Sequence, residues 1–325
     1  MVCRRWCRVW TVMLAVGAMP AILALAAAAP VAVSTAKDFE TAAAKDMPGM
    51  RELIIKKHLS IIKSVDRDAN GTAVSTDFTA SGLGVNSARP EVRLNAAILI
   101  HDLGTLSTDS FLIQMLQNKD AAVRYWAARG LADISKGLVS SGAGKVIKAL
   151  GDQAKIETSG VVAQELIKAL IQYQAFGPLL DSLGALTNQM EAAIPDVATL
   201  QTATLGLDFV SRSMAGSLAD DKSKAVTIAA RTASFAAQQQ VKNEEALKVI
   251  DGAATLPTEY SSAVRKVIDA AMRVYNGAAS APKPAPTGNS AGELLLNVNL
   301  LFGKDMPADA ILKNIAVPPK VKTAP

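Results

Sequence analysis

The chain has 325 residues, a formal net charge of +5, and a composition that is half apolar but only 4% aromatic. That length allows one large or two ordinary domains. Its small aliphatic residues suit close helix packing and argue against a β-sandwich, which wants more aromatic and threonine content.

Residues 1–36 read as an export signal. Arg4, Arg5 and Arg8 form a positive start, residues 9–29 are almost wholly apolar, and small-residue cleavage candidates follow at Ala26-Ala27-Ala28, Ala27-Ala28-Ala29 and Ser34-Thr35-Ala36. Pro30 argues against a cut directly after Ala29. The alternative is an uncleaved anchor over residues 9–33, long enough to span a bilayer. Cleavage removes Cys3 and Cys7, leaving no cysteine, and removes three arginines but no acids, so the net charge falls from +5 to +2. Nucleic-acid binding thereby loses its electrostatic argument.

Residues 37–88 are expected to hold a polar lead-in, a helix and a long loop. Over 50–65 the helix would turn Leu53, Ile54, Ile61, Ile62 and Val65 inward and Lys56, Lys57 and Lys63 to water. Residues 66–88, rich in Asp, Asn, Gly, Ser and Thr, read as loop. Within them Asp66, Asp68, Asn70, Thr72 and Asp77 are spaced as calcium ligands, with Gly71 at the turn. Calcium needs several hard oxygens around a sharp bend, and the spacing resembles an EF-hand loop of the dockerin kind. Against it stand the short Asp77 in the closing position, Ala73 where an aliphatic residue normally pairs with a second loop, and a poor exit helix. The competing reading is an Asp/Asn/Gly turn.

The repeat domain is placed at residues 89–277. Residues 89–104 (RPEVRLNAAILIHDLG) and 120–135 (DAAVRYWAARGLADIS) match at a fixed offset, Val92, Arg93, Ala96, Ala97 and Asp102 recurring as Val123, Arg124, Ala127, Ala128 and Asp133. The first helix is expected over 90–103, started by Pro90 and stopped by Gly104. A second runs over 107–118 with Ser107 or Thr108 as cap, and a third over 121–135 with Asp120 as cap. The VRxxAA…L…DL/I pattern resembles HEAT repeats, particularly the short form of phycobilisome lyase subunits. That resemblance implies an all-α fold, an α-α superhelix of HEAT/armadillo type whose neighbours stack to bury a common core. Lyase activity is not implied, because such repeats serve unrelated functions. Arg93, Arg124, Asp102 and Asp133 lie nearer the surface of such repeats, where they either fasten neighbouring helices or line a groove.

Further helices are expected over 143–155, 159–173, 175–188, 195–219, 221–241, 243–254 and 258–275, either continuing the superhelix or forming an irregular bundle. Residues 278–292 form a Pro/Ala linker. Residues 293–325 bring an apolar segment (ELLLNVNLLF), a further helical stretch over 308–316, and a tail. The apolar segment should dock at the open end of the solenoid in preference to a partner.

Catalytic motifs fail on inspection. Gly288-Asn-Ser290-Ala-Gly292 spells G-x-S-x-G, yet it sits in the linker without a strand and after both histidines, His58 and His101. Gly142-Ala-Gly144-Lys145 resembles a phosphate loop, but Val139 and Val146 stand where glycine and Ser/Thr are required. Tyr125 and Trp126 are the candidate partner-binding anchors, with core filling as the competing role. The function expected is an exported, non-catalytic binding or scaffold protein, periplasmic or secreted, engaging protein or peptide, without nucleic acid and without a cofactor unless the 66–77 loop takes calcium. Membrane contact is expected only if the N-terminal segment stays uncleaved, which would make the chain a membrane-anchored structural component of the envelope. An enzyme with a carboxylate site is the lesser alternative, since no cluster of acids or nucleophiles converges.

Overall fold

The computed structural model describes residues 36–59, 64–137, 140–251, 257–279 and 282–302; the 1–35 part of the export signal and the 308–316 stretch lie outside them. Four helices precede the repeats: α1 (Ala36–Thr41), α2 (Met47–Leu59), α3 (Ser64–Ser81) and α4 (Leu83–Asn86). They are followed by α5 (Pro90–Leu103), α6 (Asp109–Met115), α7 (Ala121–Asp133), α8 (Ser140–Ile156), α9 (Gly160–Gln172), α10 (Phe176–Ala192) and α11 (Val197–Ser213). The series closes with α12 (Ala219–Asp251), α13 (Thr258–Ala278) and α14 (Ala291–Phe302). No strand occurs among the described residues.

Two layers organise the chain. Helices α5, α7, α9, α11 and α13 stack in succession as one layer, and α8, α10, α12 and α14 stack as the other, with the short α6 ahead of α8. Each helix therefore buries an apolar stripe against both its hairpin partner and the next repeat, which is how a solenoid makes one continuous core. The later helices continue the superhelix, so the irregular-bundle alternative is set aside.

Local chemistry explains the boundaries. Pro90 opens α5, where its missing N–H costs nothing, and Gly104 closes it in the left-handed region at φ 58°, its N–H donating to His101 O at 3.0 Å. Val92, Ala96, Leu99 and Leu103 form the buried stripe of α5, and Val123, Ala127 and Leu131 that of α7. In α12 the buried run Ala225, Ala229, Ala230, Ala233, Ala236 and Ala237 forms a smooth small-residue face that lets neighbours approach closely.

Several expectations are corrected. The polar lead-in contains α1, whose Ala36 and Phe39 are fully buried. Leu53, expected inside, is exposed. The 221–241 and 243–254 helices are one 33-residue helix, α12, because asparagine at 243 costs a helix only about 0.7 kcal/mol, less than a break in the ladder would. Thr108 and Asp120 occupy cap positions without capping through their side chains. The 66–88 loop is largely helix: Asp66, Asp68, Asn70, Thr72 and Asp77 all lie on α3. Val74 and Phe78, four apart, are buried and hold it in the core. Gly71 serves close approach, since a Cβ there would sit 2.2 Å from Thr105 Oγ1.

The apolar segment after the linker docks inside the molecule. Leu294, Val298 and Phe302 are buried, α14 packs on α12, and the Phe302 ring meets Tyr275 edge-on at 5.7 Å. The linker is pinned on the way by Asn276, which donates to Lys283 O and accepts its N–H, and by Asn297, which donates to Thr287 O at 2.6 Å. Ser290 caps α14: its Oγ accepts the Glu293 N–H at 3.2 Å, while the Glu293 carboxylate accepts the Asn289 N–H at 2.8 Å. The G-x-S-x-G spelling is a helix cap.

Candidate functional site

The repeat arginines settle into equivalent bonds. Arg124, at the fourth position of α7, reaches back to Asn118 O at 2.8 Å and forward to Glu157, both carboxylate oxygens accepting at 2.7 Å. Arg93, at the fourth position of α5, reaches back to Ser87 O and forward to Asp120. Each arginine thus ties the turn before its own helix to the turn before the next repeat helix. The Glu157 side chain is wholly buried and also accepts the Thr158 and Ser159 N–H groups and the Gln153 amide. Burial pushes its carboxyl up, but the bonds from Arg124, Ser159 and Gln153 outweigh that and hold its pKa below the ordinary value. The same pairing raises the Arg124 pKa further. These two arginines are fasteners of the stack.

Asp102 and Asp133 flank one ring. His101 Nδ1 lies 2.8 Å from Asp102, and its Nε2 lies 2.9 Å from Asp133 on α7. Above it Trp126 packs edge-on at 5.0 Å, Tyr125 meets Trp126 edge-on at 5.6 Å, and the Arg129 guanidinium sits 5.3 Å over the indole. Tyr125 and Trp126 are half-buried against the core.

Opposite outcomes meet the calcium ligands. On a helix, positions two apart are turned by about 200°, so Asp68 and Asn70 point to different faces. Asp68 is exposed and Asn70 buried; the Thr72 hydroxyl donates to Asp68 O at 2.8 Å, and Asp77 accepts the Ala36 N–H at 2.7 Å. The structure does not bring this set together. Among the described residues no three His, Cys, Asp or Glu side chains gather as metal ligands.

What the stack does present is a groove along the edge formed by its turns. Because α6 has only 7 residues and α8 has 17, the flank of α8 beyond α6 is left uncovered. A hollow of about 630 Å³ lies there, with Ile113, Leu116, Ala149 and Ile156 giving an apolar lining, Lys145, Lys148 and Asp152 a charged rim, and the Arg124–Glu157 pair one end. A second hollow of about 490 Å³ adjoins it, sharing Gln117 and Asn118 and reaching to Asn86 and Lys119. Ile156 is 70% exposed although α8 buries Val146, Leu150 and Ala154 at helical spacing. Lys145 Nζ donates to Ser110 Oγ at 3.0 Å, and Lys148 pairs with Asp152 at 2.5 Å. Tyr125 and Trp126 line neither hollow.

Sequence reasoning missed this groove. The signal available was Ile156, two positions past Ala154 and hence about 200° off the buried stripe of α8, an apolar residue on a wet face. The shortness of α6, which opens the space, is not written in its residues.

No curated protein and no solved structure matched this chain. Residues 81–171 match the family model described as HEAT repeats. That segment runs from the last residue of α3 through α9 and contains both arginine fasteners and both hollows. Residues 81–171 therefore carry HEAT-like repeats, and the two stacked layers of helices extend an all-α repeat fold beyond them.

Proposed function

We propose that this protein is an exported, non-catalytic scaffold that holds a protein or peptide partner in the groove between α6 and α8. HEAT repeats typically serve protein interaction, and the observation that carries the reading is Ile156: a large apolar side chain exposed at the base of a groove rimmed by Lys145 and Lys148. An extended segment with one apolar side chain beside an acidic one fits that lining and rim, and the amide of the exposed Gln117 can bond its backbone. Binding would use the preformed surface and make or break no covalent bond. Export is supported by residues 1–36 as sequence; among the described residues no helix is long and apolar enough to cross a membrane.

Site-specific photo-crosslinking tests this. A crosslinking residue at Gln117 should trap a discrete partner in the native cell, and Ile156→Asp should abolish the adduct. The same residue at Val249, 86% exposed on α12, should trap none. Equal labelling at both positions, or an adduct indifferent to Ile156→Asp, would overturn the proposal.

A further inference from the structure

We propose that removal of the export signal spares Ala36: the cut falls ahead of it, and the Ser34-Thr35-Ala36 candidate is not used. The inference rests on the export reading and adds which of the possible products is not the mature protein. The three candidates leave different first residues, and the fold separates the cut after Ala36 from the other two. Ala36 is the first residue of α1 and is fully buried, and its backbone N–H donates to Asp77 Oδ2 on α3 at 2.7 Å.

A cut after Ala36 deletes both that methyl group and that donor. The new terminus would place an ammonium at the positive end of α1, where a cation is unfavourable. More than α1 is at stake. Phe39 is fully buried and meets Phe78 edge-on at 5.4 Å, and Phe78 meets Phe111 at 6.1 Å, so α1 seals the aromatic cluster under the first repeat. The Glu40 carboxylate accepts the Ser87 hydroxyl at 2.8 Å, and Arg89 donates to Glu40 O and Ala42 O. Ser87 in turn offers its carbonyl to Arg93. Helix α1 is therefore part of the cap that α1–α4 form on the N-terminal end of the stack, an element repeat proteins need for solubility, and a cut after Ala36 frays it at its anchor. A cut after Ala28 leaves it whole.

The test is the intact mass of the protein secreted from its full-length gene, together with a stability comparison. A first residue anywhere within 29–36 supports the inference. A first residue at Lys37 or later overturns it while leaving export intact, whereas an uncut Met1 overturns both. Purified chains starting at Ala29 and at Lys37 provide the second measurement. The shorter chain should melt at least about 2 °C lower, and Asp77→Ala in the longer chain should reproduce part of that fall. Equal melting temperatures for the two chains would remove the physical basis of the inference.

Discussion

The front and back of the stack are held together by different chemistry. From α5 to α9 each step is fastened by an arginine that spans two turns and ends on a buried or half-buried acid. From α10 onward the equivalent position is no longer charged: the fourth residue of α9 is Ala163 and that of α11 is Leu200. Buried neutral bonds take over, and the charged ties left between these helices, Lys224–Asp181, Arg231–Glu191 and Arg273–Asp208, are solvent-accessible. Thr202 donates to Ala198 O and lies 3.3 Å from Gly160 O, Thr187 and Thr232 pair at 2.7 Å, and Gln239 donates to Met190 O and Glu191 O. The alanine face of α12 supplies close contact. One geometry can thus be specified by a few buried charged ties or by buried neutral ones backed by accessible ion pairs, and the two should fail differently.

The largest effect is expected at Arg124. Arg124→Ala leaves the Glu157 carboxylate buried without its partner, a loss of about 3–5 kcal/mol, measurable by urea unfolding. The combined variant Arg124→Met with Glu157→Leu should recover much of it, since an apolar pair of similar volume needs no desolvation. A double variant no better than the single would show that the bonds to the turn carbonyls, and not the charge pair, do the fastening.

Acid should separate the halves next. The Glu157 pKa is lowered in the fold, so its contribution is present above the unfolded value, about 4.3, and is lost as pH falls through the folded one. Stability should therefore drop below about pH 4, and Glu157→Gln, less stable at neutral pH, should show a flatter fall. Hydrogen exchange at pH 3 should show α5–α9 opening before α10–α13. Simultaneous opening would mean that the front fasteners do not govern the front.

This contrast also explains what could be read from the sequence. The charged ties recur in step because each must meet an acid in the turn before the next repeat helix, so Arg93 and Arg124 announce the fold. The 90–103 helix was legible to its ends, its Pro and Gly being local signals. Thr187, Thr202 and Gln239 follow no period, so the later repeats were visible only as helices, and their stacking was not. The 66–77 segment misled because Asp, Asn and Gly signal turns locally, while burial of Val74 and Phe78 decides for helix at long range. The groove was least legible of all, since it comes from the unequal lengths of α6 and α8.

A smaller loss is expected from the neutral ties. Gln239→Leu removes two bonds to carbonyls in a buried site and should cost about 1–2 kcal/mol. Thr187→Val should cost about 1 kcal/mol, and adding Thr232→Val should cost less than a second such change, because the first has already broken the pair. Additive losses would show the two hydroxyls acting separately, through their own bonds to Leu183 O and Ile228 O.

The smallest effect on stability should come from the groove itself, and that is where binding is expected to respond. Lys148 and Asp152 are exposed and one helical turn apart, and such pairs contribute little in water. Ile156 buries little surface, so little is lost when it goes. Lys148→Ala and Ile156→Asp should leave the unfolding midpoint unchanged and yet weaken capture of a partner. If either variant unfolds the protein instead, the exposed isoleucine is part of the core and the groove is a packing defect. Unchanged stability with unchanged capture would move the binding surface elsewhere, with the Trp126–Tyr125 cluster on the opposite layer as the next place to look.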